Sequence, residues 1–345
     1  MHSRGGSRAV WSAVLAATTA VTLLTGCSAR NADSAEPAPG SGPAPASAAL
    51  APVPAAAPTG TVTPAAPLAA LLSEPATGRL AELDGDGVTV RLLDPATGDT
   101  RTATLPAPAT ALAPGAPGEI LAAAGRRIVH IAATTAAVRS TPVDGDVRAV
   151  TRRDDGSLAA GLADGRVLIL DPDGQVRQTI AGLGRIDGVA ATGDAVAVLD
   201  RARTRLTQLD LARDHAGLAL RAGTGATTVL ADHYGRLLVA DTAGGALLVY
   251  TADPLVLRQR FPVGSAPYAL AYDQRAETVW VTATSSNEVV GFDLSRGIPE
   301  EVGRCATVRQ PNSVTVDDRT GDMFVGSATG DGLQRIGADQ RKRGH

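Results

Sequence analysis

Residues 268–308 read YALAYDQRAETVWVTATSSNEVVGFDLSRGIPEEVGRCATV and contain four short runs rich in apolar and β-branched residues. The runs begin near Tyr268, Thr278, Glu288 and Glu301, and turn-forming Asp, Ser and Gly residues separate them. Short runs of this kind are typical of β-strands, and no apolar stripe of 3.6-residue period indicates a helix. The segment therefore predicts four strands of one antiparallel sheet.

The same order of strands recurs along the chain. Asp232, Asp273 and Asp317 occupy corresponding positions, 41 and 44 residues apart. Fainter copies precede them, starting near residues 71, 109, 148 and 188. Four short strands every ~40 residues are typical of the blades of a β-propeller. Because about seven such units fit between residues 68 and 338, we predict an all-β, seven-bladed propeller, with six or eight blades as alternatives.

The predicted ring leaves one strand to be supplied. The last copy has no fourth strand after Ile336, and residues 61–66 are the candidate to provide it. Trp280 stands between two valines, which predicts that it packs between blades. Cys305 lies in a strand-like run, and we expect a small buried hydrophobe there rather than a reactive thiol.

The N-terminus carries the pattern of an export signal. Arg4 and Arg8 precede an uncharged apolar stretch that ends in Leu24-Thr25-Gly26-Cys27. A basic start and an apolar segment short for a membrane span are typical of a secretory signal. LTGC resembles a bacterial lipobox, which implies transfer of a diacylglyceryl group, with palmitate-type acyl chains, to the Cys27 sulfur and cleavage just before Cys27. We expect residues 1–26 to be a lipoprotein signal peptide; the alternative is an uncleaved anchor with an ordinary buried cysteine.

Two further segments differ from the repeats in composition. Residues 27–67 are mostly Ala, Pro, Ser, Gly and Thr, which favours a disordered spacer over a proline-rich docking motif or a glycosylated stalk. At ~3.1 Å per residue, such a spacer would reach on the order of 100 Å. Residues 339–345 predict a disordered basic tail, so that the propeller is expected at residues 68–338.

Several of these sequences resemble known propeller repeats. VWVT at residues 279–282, followed by SNEVV at 286–290, resembles the YVTN-type repeat. PNSVTVD at 311–317 and APYALA at 266–271 resemble the first strand of NHL- and YVTN-type blades. Together with the lipobox, the segment 220–317 resembles an actinobacterial lipoprotein family of the LppL type. The resemblance implies an exported, lipid-anchored propeller and supplies no catalytic residues.

Composition excludes several functional classes. The net charge is −3 and aromatic residues make up 3% of the chain, so neither the basic surface nor the stacking platforms of a nucleic-acid-binding protein are present. Lys342 is the only lysine, which excludes a P-loop. His130, His215 and His233 are scattered, and no GxSxG or HExxH motif accompanies them.

The turn sequences have two interpretations each. LDGDG at residues 83–87 resembles a calcium loop, but residue 95, where an EF-type loop places its bidentate glutamate, is proline. This favours a hairpin turn. Asp200, Asp241 and Thr282 each close the second strand of a predicted blade, and we consider them both as part of a binding face and as turn caps.

One enzymatic alternative concerns the centre of the ring. Propeller lactonases and related esterases hold a divalent cation in the central tunnel through Glu, Asn and Asp side chains. We expect Asp187, Thr227, Tyr268 and Asn312 to line that tunnel, with Asn312 and then Asp187 as the candidate metal ligands. Since none of the four is a glutamate, we expect no cofactor, with a single calcium ion as the alternative.

The sequence therefore predicts a monomeric propeller, exported and anchored by lipid to the outer face of the cell membrane. We expect it to act as a binding or scaffold module toward an envelope protein or a small ligand, without a nucleic-acid partner. A metal-assisted lactonase or esterase is the alternative function.

Overall fold

The computed structural model describes residues 44–341, in which every regular element is a β-strand. We number the strands in chain order from β1 to β28. Their bounds are Thr61–Thr63, Leu68–Ser73, Leu80–Asp84, Thr89–Leu93, Thr100–Thr104, Ala109–Pro114, Glu119–Ala124, Arg127–Ala132, Val138–Pro142, Val147–Arg152, Leu158–Leu162, Val167–Leu170, Val176–Ile180, Gly188–Thr192, Ala195–Asp200, Arg205–Asp210, His215–Arg221, Ala226–Ala231, Arg236–Asp241, Ala246–Ala252, Leu255–Pro262, Pro267–Asp273, Thr278–Ala283, Glu288–Asp293, Glu300–Ala306, Pro311–Val316, Met323–Ser327 and Leu333–Ile336.

The strands form seven four-stranded antiparallel sheets, which confirms the predicted seven-bladed propeller. Blades 1 to 6 each consist of four consecutive strands, beginning with β2 and ending with β25. The first strand of each blade contacts the first strands of both neighbouring blades, so these seven strands surround the axis. Alternatives with six or eight blades are thereby excluded.

The seventh blade is closed by the N-terminal strand. Its sheet has the order β1-β28-β27-β26, and Thr61–Thr63 pairs antiparallel with Leu333–Ile336, in the register Thr61 to Arg335 and Thr63 to Leu333. The prediction that residues 61–66 supply the missing strand is therefore confirmed for its first half. The two ends of the ring are joined by backbone hydrogen bonds.

The hydrophobic core is divided among the seven junctions between blades. One cluster of buried apolar side chains lies at each junction. Because both faces of a blade are covered, middle strands such as Thr278–Ala283 are buried along their whole length and do not alternate in polarity. The smallest cluster, Leu68, Leu80, Phe324 and Leu333, joins blade 7 to blade 1. Pairing of β1 thus stabilises the ring where its apolar contact is weakest.

Trp280 and Cys305 occupy the positions expected of them. The Trp280 side chain lies between blades 6 and 7, over Gly291 and Gly303, where any Cβ atom would crowd the indole ring. Cys305 is buried in the same cluster, and burial raises the pKa of its thiol.

Two predicted segments are corrected. From residue 44 onward the predicted spacer is ordered against the ring, because Arg201, Gln310 and Asn287 donate hydrogen bonds to its backbone. The predicted basic tail is ordered as far as Arg341, whose guanidinium pairs with Asp273 at 2.7 Å while the Cys305 thiol contacts the Gln340 carbonyl. The signal peptide, Cys27 and residues 342–345 lie outside the described residues.

Candidate functional site

Every inner strand begins at the same end of the ring, which we call the mouth. Since the strands are antiparallel, the turns between second and third strands and the connections between blades also lie at this end. At the opposite end, Asp273 is the last residue of its inner strand, and Asp232 and Asp317 directly follow theirs. All three accept backbone hydrogen bonds from the next turn. This equivalence confirms the phase of the repeat.

A ring of β-bulges marks the mouth. In six of the seven blades the pairing of the inner strand shifts register at its second residue. A bulge re-aims the side chain of the extra residue, and bulges are frequent at functional rims. The bulged residues are Ala69, Thr110, Arg148, Thr227, Tyr268 and Asn312.

Three of the four predicted tunnel residues, Thr227, Tyr268 and Asn312, fall on this ring, and oxygens of Thr227, Asn312 and Asp187 already have hydrogen-bond partners. Thr227 shares a 2.6 Å hydrogen bond with Thr242, and Asn312 Oδ1 accepts one from Gln310 Nε2 at 3.0 Å. Asp187 immediately precedes the inner strand of blade 4 and accepts hydrogen bonds from Arg185 Nε and the Arg201 backbone. In residues 44–341 no three His, Cys, Asp or Glu side chains converge as metal ligands would.

Asp241 caps the mouth-side loops of blade 5. Its side chain is fully buried, and Oδ1 accepts backbone hydrogen bonds from Thr224, Gly225 and Gly244 at 2.8–3.1 Å. Oδ2 has no hydrogen-bond partner among the described residues, and the Arg260 guanidinium lies 4.0 Å away. A Cβ atom at Gly223 or Gly244 would collide with this carboxylate, so the glycines make room for the cap.

The other turn residues have the same structural function. Asp200 accepts a hydrogen bond from the Arg203 backbone and pairs with its guanidinium, while Thr282 Oγ1 accepts one from the Ala269 backbone. At residues 83–87, Asp86 accepts hydrogen bonds from Val88 and Thr89, which lower the pKa of its carboxyl. The LDGDG sequence is therefore a hairpin turn, as predicted.

The N-terminal segment lies across the mouth, a feature the sequence analysis did not predict. We call residues 44–58 the strap. Arg201 in blade 4 donates a hydrogen bond to the Ala46 carbonyl, and the Ala46 methyl approaches Gly225 at the start of blade 5. The strap then reaches the connection into blade 7, where Gln310 binds it. It therefore runs along the rim formed by the starts of the inner strands.

Two buried amide side chains hold the strap by its backbone. Gln310 donates to the Ala49 carbonyl and accepts from the Ala51 amide, both at 2.9 Å. Asn287 donates to the Pro52 carbonyl at 2.9 Å, and its Oδ1 accepts from the Gln310 backbone. Both residues have positive φ angles, 54° and 52°. The amide pair binds the strap as a neighbouring strand would, through backbone donors and acceptors.

The strap presents its larger side chains outward. Ala51 is 2% exposed, whereas Leu50 and Val53 are 82% and 80% exposed. No residue of the strap is charged. Recognition of the strap therefore uses backbone atoms and small methyl groups.

The histidines lie away from the mouth. His130 is buried in blade 2 with Nδ1 3.2 Å from Glu119, and Nε2 3.1 Å from Thr141. Burial lowers the pKa of its imidazole despite the carboxylate. His215 begins an outer strand, and His233 follows an inner strand at the far end of the ring.

Sequence reasoning missed Gln310 and Asn287 because polar residues in turns are common. A signal was present, since Asn readily adopts a positive φ, Asn287 belongs to the quoted SNEVV sequence and Gln310 directly precedes the quoted PNSVTVD. Their joint function depends on a contact between two blades, which no local pattern encodes.

No protein-family model matches the chain, and no curated protein matches it. Solved structures resemble it closely in fold. A hydrazine synthase chain from Kuenenia stuttgartiensis has a TM-score of 0.68 and 11% identity, over 81% of this chain and 98% of that chain. Virginiamycin B lyase from Staphylococcus aureus has a TM-score of 0.63 and 13% identity, over 78% and 94%.

A third solved structure has a comparable TM-score. The β-propeller domain of Cps50 (Swd1) from Myceliophteria thermophila has a TM-score of 0.66 and 16% identity, over 80% of this chain and 97% of that domain. Identities this low show the fold alone. The neighbours include chains with enzyme names and a β-propeller domain without one, and the fold alone does not determine the function.

Proposed function

We propose that this chain is a lipid-anchored, extracytoplasmic β-propeller that works as a binding or scaffold module at the cell envelope. The observation that carries the binding function is the strap, a polypeptide segment held on the mouth-side face by buried amides. A face that already binds one extended segment has the geometry of a recognition surface. The braced blades hold its loops in place, as in other propellers.

The export and lipid anchor are supported by the LTGC sequence and the resemblance to the LppL-type lipoproteins. The ordered strap shortens the predicted tether. About 16 residues separate Cys27 from Ala44, which at ~3.1 Å per residue reach roughly 50 Å. We therefore propose a monomer tethered closer to the membrane than a spacer of full length would allow. Residues 44–341 contain no helix of the length and apolarity that a membrane crossing requires.

A metal-assisted hydrolase is the less favoured function. It needs several free oxygen donors near the axis, and the oxygens of Asp187 and Asn312 already accept hydrogen bonds. Arg148 is the one charged member of the bulge ring, and a cation is a poor neighbour for a metal ion.

Both parts of the proposal have direct tests. Mass spectrometry of the N-terminal peptide from membranes should find a lipid on Cys27, and Cys27→Ala should abolish it and release the protein from the membrane fraction. An unmodified Cys27 in the membrane fraction would contradict the anchor. Bound calcium together with turnover of a lactone or ester by the purified protein would contradict a function in binding alone.

A further inference from the structure

We propose that the groove formed by Arg201, Asn287, Arg309 and Gln310 is a binding site for an extended, uncharged Ala/Pro-rich polypeptide from another chain. In this proposal the strap is a displaceable ligand that occupies the groove in cis. This proposal specifies the class of partner that the mouth-side face binds, and it rests on the proposed binding function.

The groove recognises a backbone in an extended conformation. Its five hydrogen bonds to the strap use the carbonyls of Ala46, Ala49, Ala51 and Pro52 and the amide of Ala51. Gln310 forms hydrogen bonds with Ala49 and Ala51. These residues are two positions apart, which is the spacing of residues on the same side of a β-strand. Backbone recognition of this kind gives affinity, whereas pockets for alternate side chains give specificity.

The groove selects its ligand by the size of the side chains that face it. Ala51 is buried and the Ala46 methyl faces Gly225, where a Cβ atom would come within 2.9 Å of it. Larger side chains fit at outward positions such as those that Leu50 and Val53 occupy. Prolines restrict the free peptide, which lowers the entropy lost on binding. The fitting ligand is an Ala/Pro-rich segment with alanine at the two inward positions.

The strap is separable from the ring that it covers. It lies N-terminal to β1, and Thr61–Thr63 keeps its pairing with Leu333–Ile336 through a different set of bonds. Release of residues 44–52 therefore leaves the seven blades and their closure intact. A tethered occupant competes at an effective concentration in the millimolar range, so a peptide added in trans binds weakly until the strap is weakened.

Two substitutions in the full-length protein separate the occupant from the groove. Ala51→Asp puts a charge at the buried methyl of the strap and leaves the groove unchanged. Gln310→Glu replaces the donor that faces the Ala49 carbonyl by a carboxylate and damages the groove itself. Hydrogen exchange should show faster exchange at the Ala51 amide region in Gln310→Glu, and loss of strap protection in both variants.

The probe is a fluorescent peptide of residues 44–58, APASAALAPVPAAAP, followed by anisotropy. We expect it to bind Ala51→Asp at least tenfold more tightly than the wild type, because the competing strap is removed. Gln310→Glu should bind it no better than the wild type. A control peptide with the same Ala-to-Asp change at its eighth position should not bind.

Three results would overturn the inference. The first is a strap that stays protected in both variants, since it would not be held by these contacts. The second is a released strap in Ala51→Asp without peptide binding. The third is equal binding of the control peptide. None of these results bears on lipidation of Cys27 or on calcium binding with lactone or ester turnover, which test the proposed function. Failure of this inference is therefore distinguishable from failure of the proposed function.

Discussion

Substitution of Asp241 by alanine should destabilise the propeller more than any other single change of a turn residue. The carboxylate is fully buried and accepts three backbone hydrogen bonds, from Thr224, Gly225 and Gly244. Asp241→Ala removes this acceptor from the buried residue Gly225 and from the more accessible Thr224 and Gly244. A buried donor left without a partner costs about 1–3 kcal/mol and a lost hydrogen bond of a more accessible donor about 0.5–1.5 kcal/mol, so we expect a loss of about 2–4 kcal/mol.

Two matched variants isolate the cause. Asp241→Asn keeps an acceptor oxygen for the three amides, and should cost about 1–2 kcal/mol. Asp86→Ala removes an exposed cap with two backbone bonds and should cost less than Asp241→Ala. Urea unfolding followed by circular dichroism measures all three. A loss for Asp241→Ala no larger than that for Asp86→Ala would contradict this expectation, because removal of the buried acceptor would then carry no extra cost.

Three further predictions concern closure, packing and pH. Deletion of residues 1–63 should lower the thermal midpoint and cause aggregation, since it exposes the edge of the last blade, whereas deletion of residues 1–43 should change neither. Gly291→Ala should cost about 1–3 kcal/mol by overpacking against Trp280, as chemical unfolding would show. Because burial lowers the pKa of His130, the unfolded chain binds more protons below about pH 6.5, so stability falls as the pH drops. His130→Gln should flatten that part of the pH profile, and an unchanged slope would contradict the assignment.

The repeat was readable because blade geometry is local. Four short strands and their turns lie within about 40 residues. The spacing of Asp232, Asp273 and Asp317 was therefore enough to predict the repeat from the sequence. The positions of Thr227 and Asn312 at the starts of inner strands followed from that phase, whereas the β-bulges at these residues were not predicted.

The order of the strap could not be predicted, because it depends on contacts between residues far apart in the sequence. Ala/Pro-rich composition gives a segment too little apolar area to fold alone, and this led to the prediction of a spacer through residue 67. Its order comes from Arg201, Asn287 and Gln310, which lie 155 to 261 residues away along the chain. Contacts of that separation depend on the closed ring and leave no local signature. The same holds for Arg341, which is ordered by a salt bridge to Asp273.

The central claim is that the mouth-side face binds a partner at the cell envelope. A photo-crosslinking amino acid placed at Ser285, exposed on the ring itself in the mouth-side turn of blade 6, tests it on intact cells, with Tyr234, 61% exposed at the far end of the ring, as the matched control. We expect a discrete crosslinked species from position 285 and none from position 234. Crosslinks from position 234 alone, or from neither position, would contradict it.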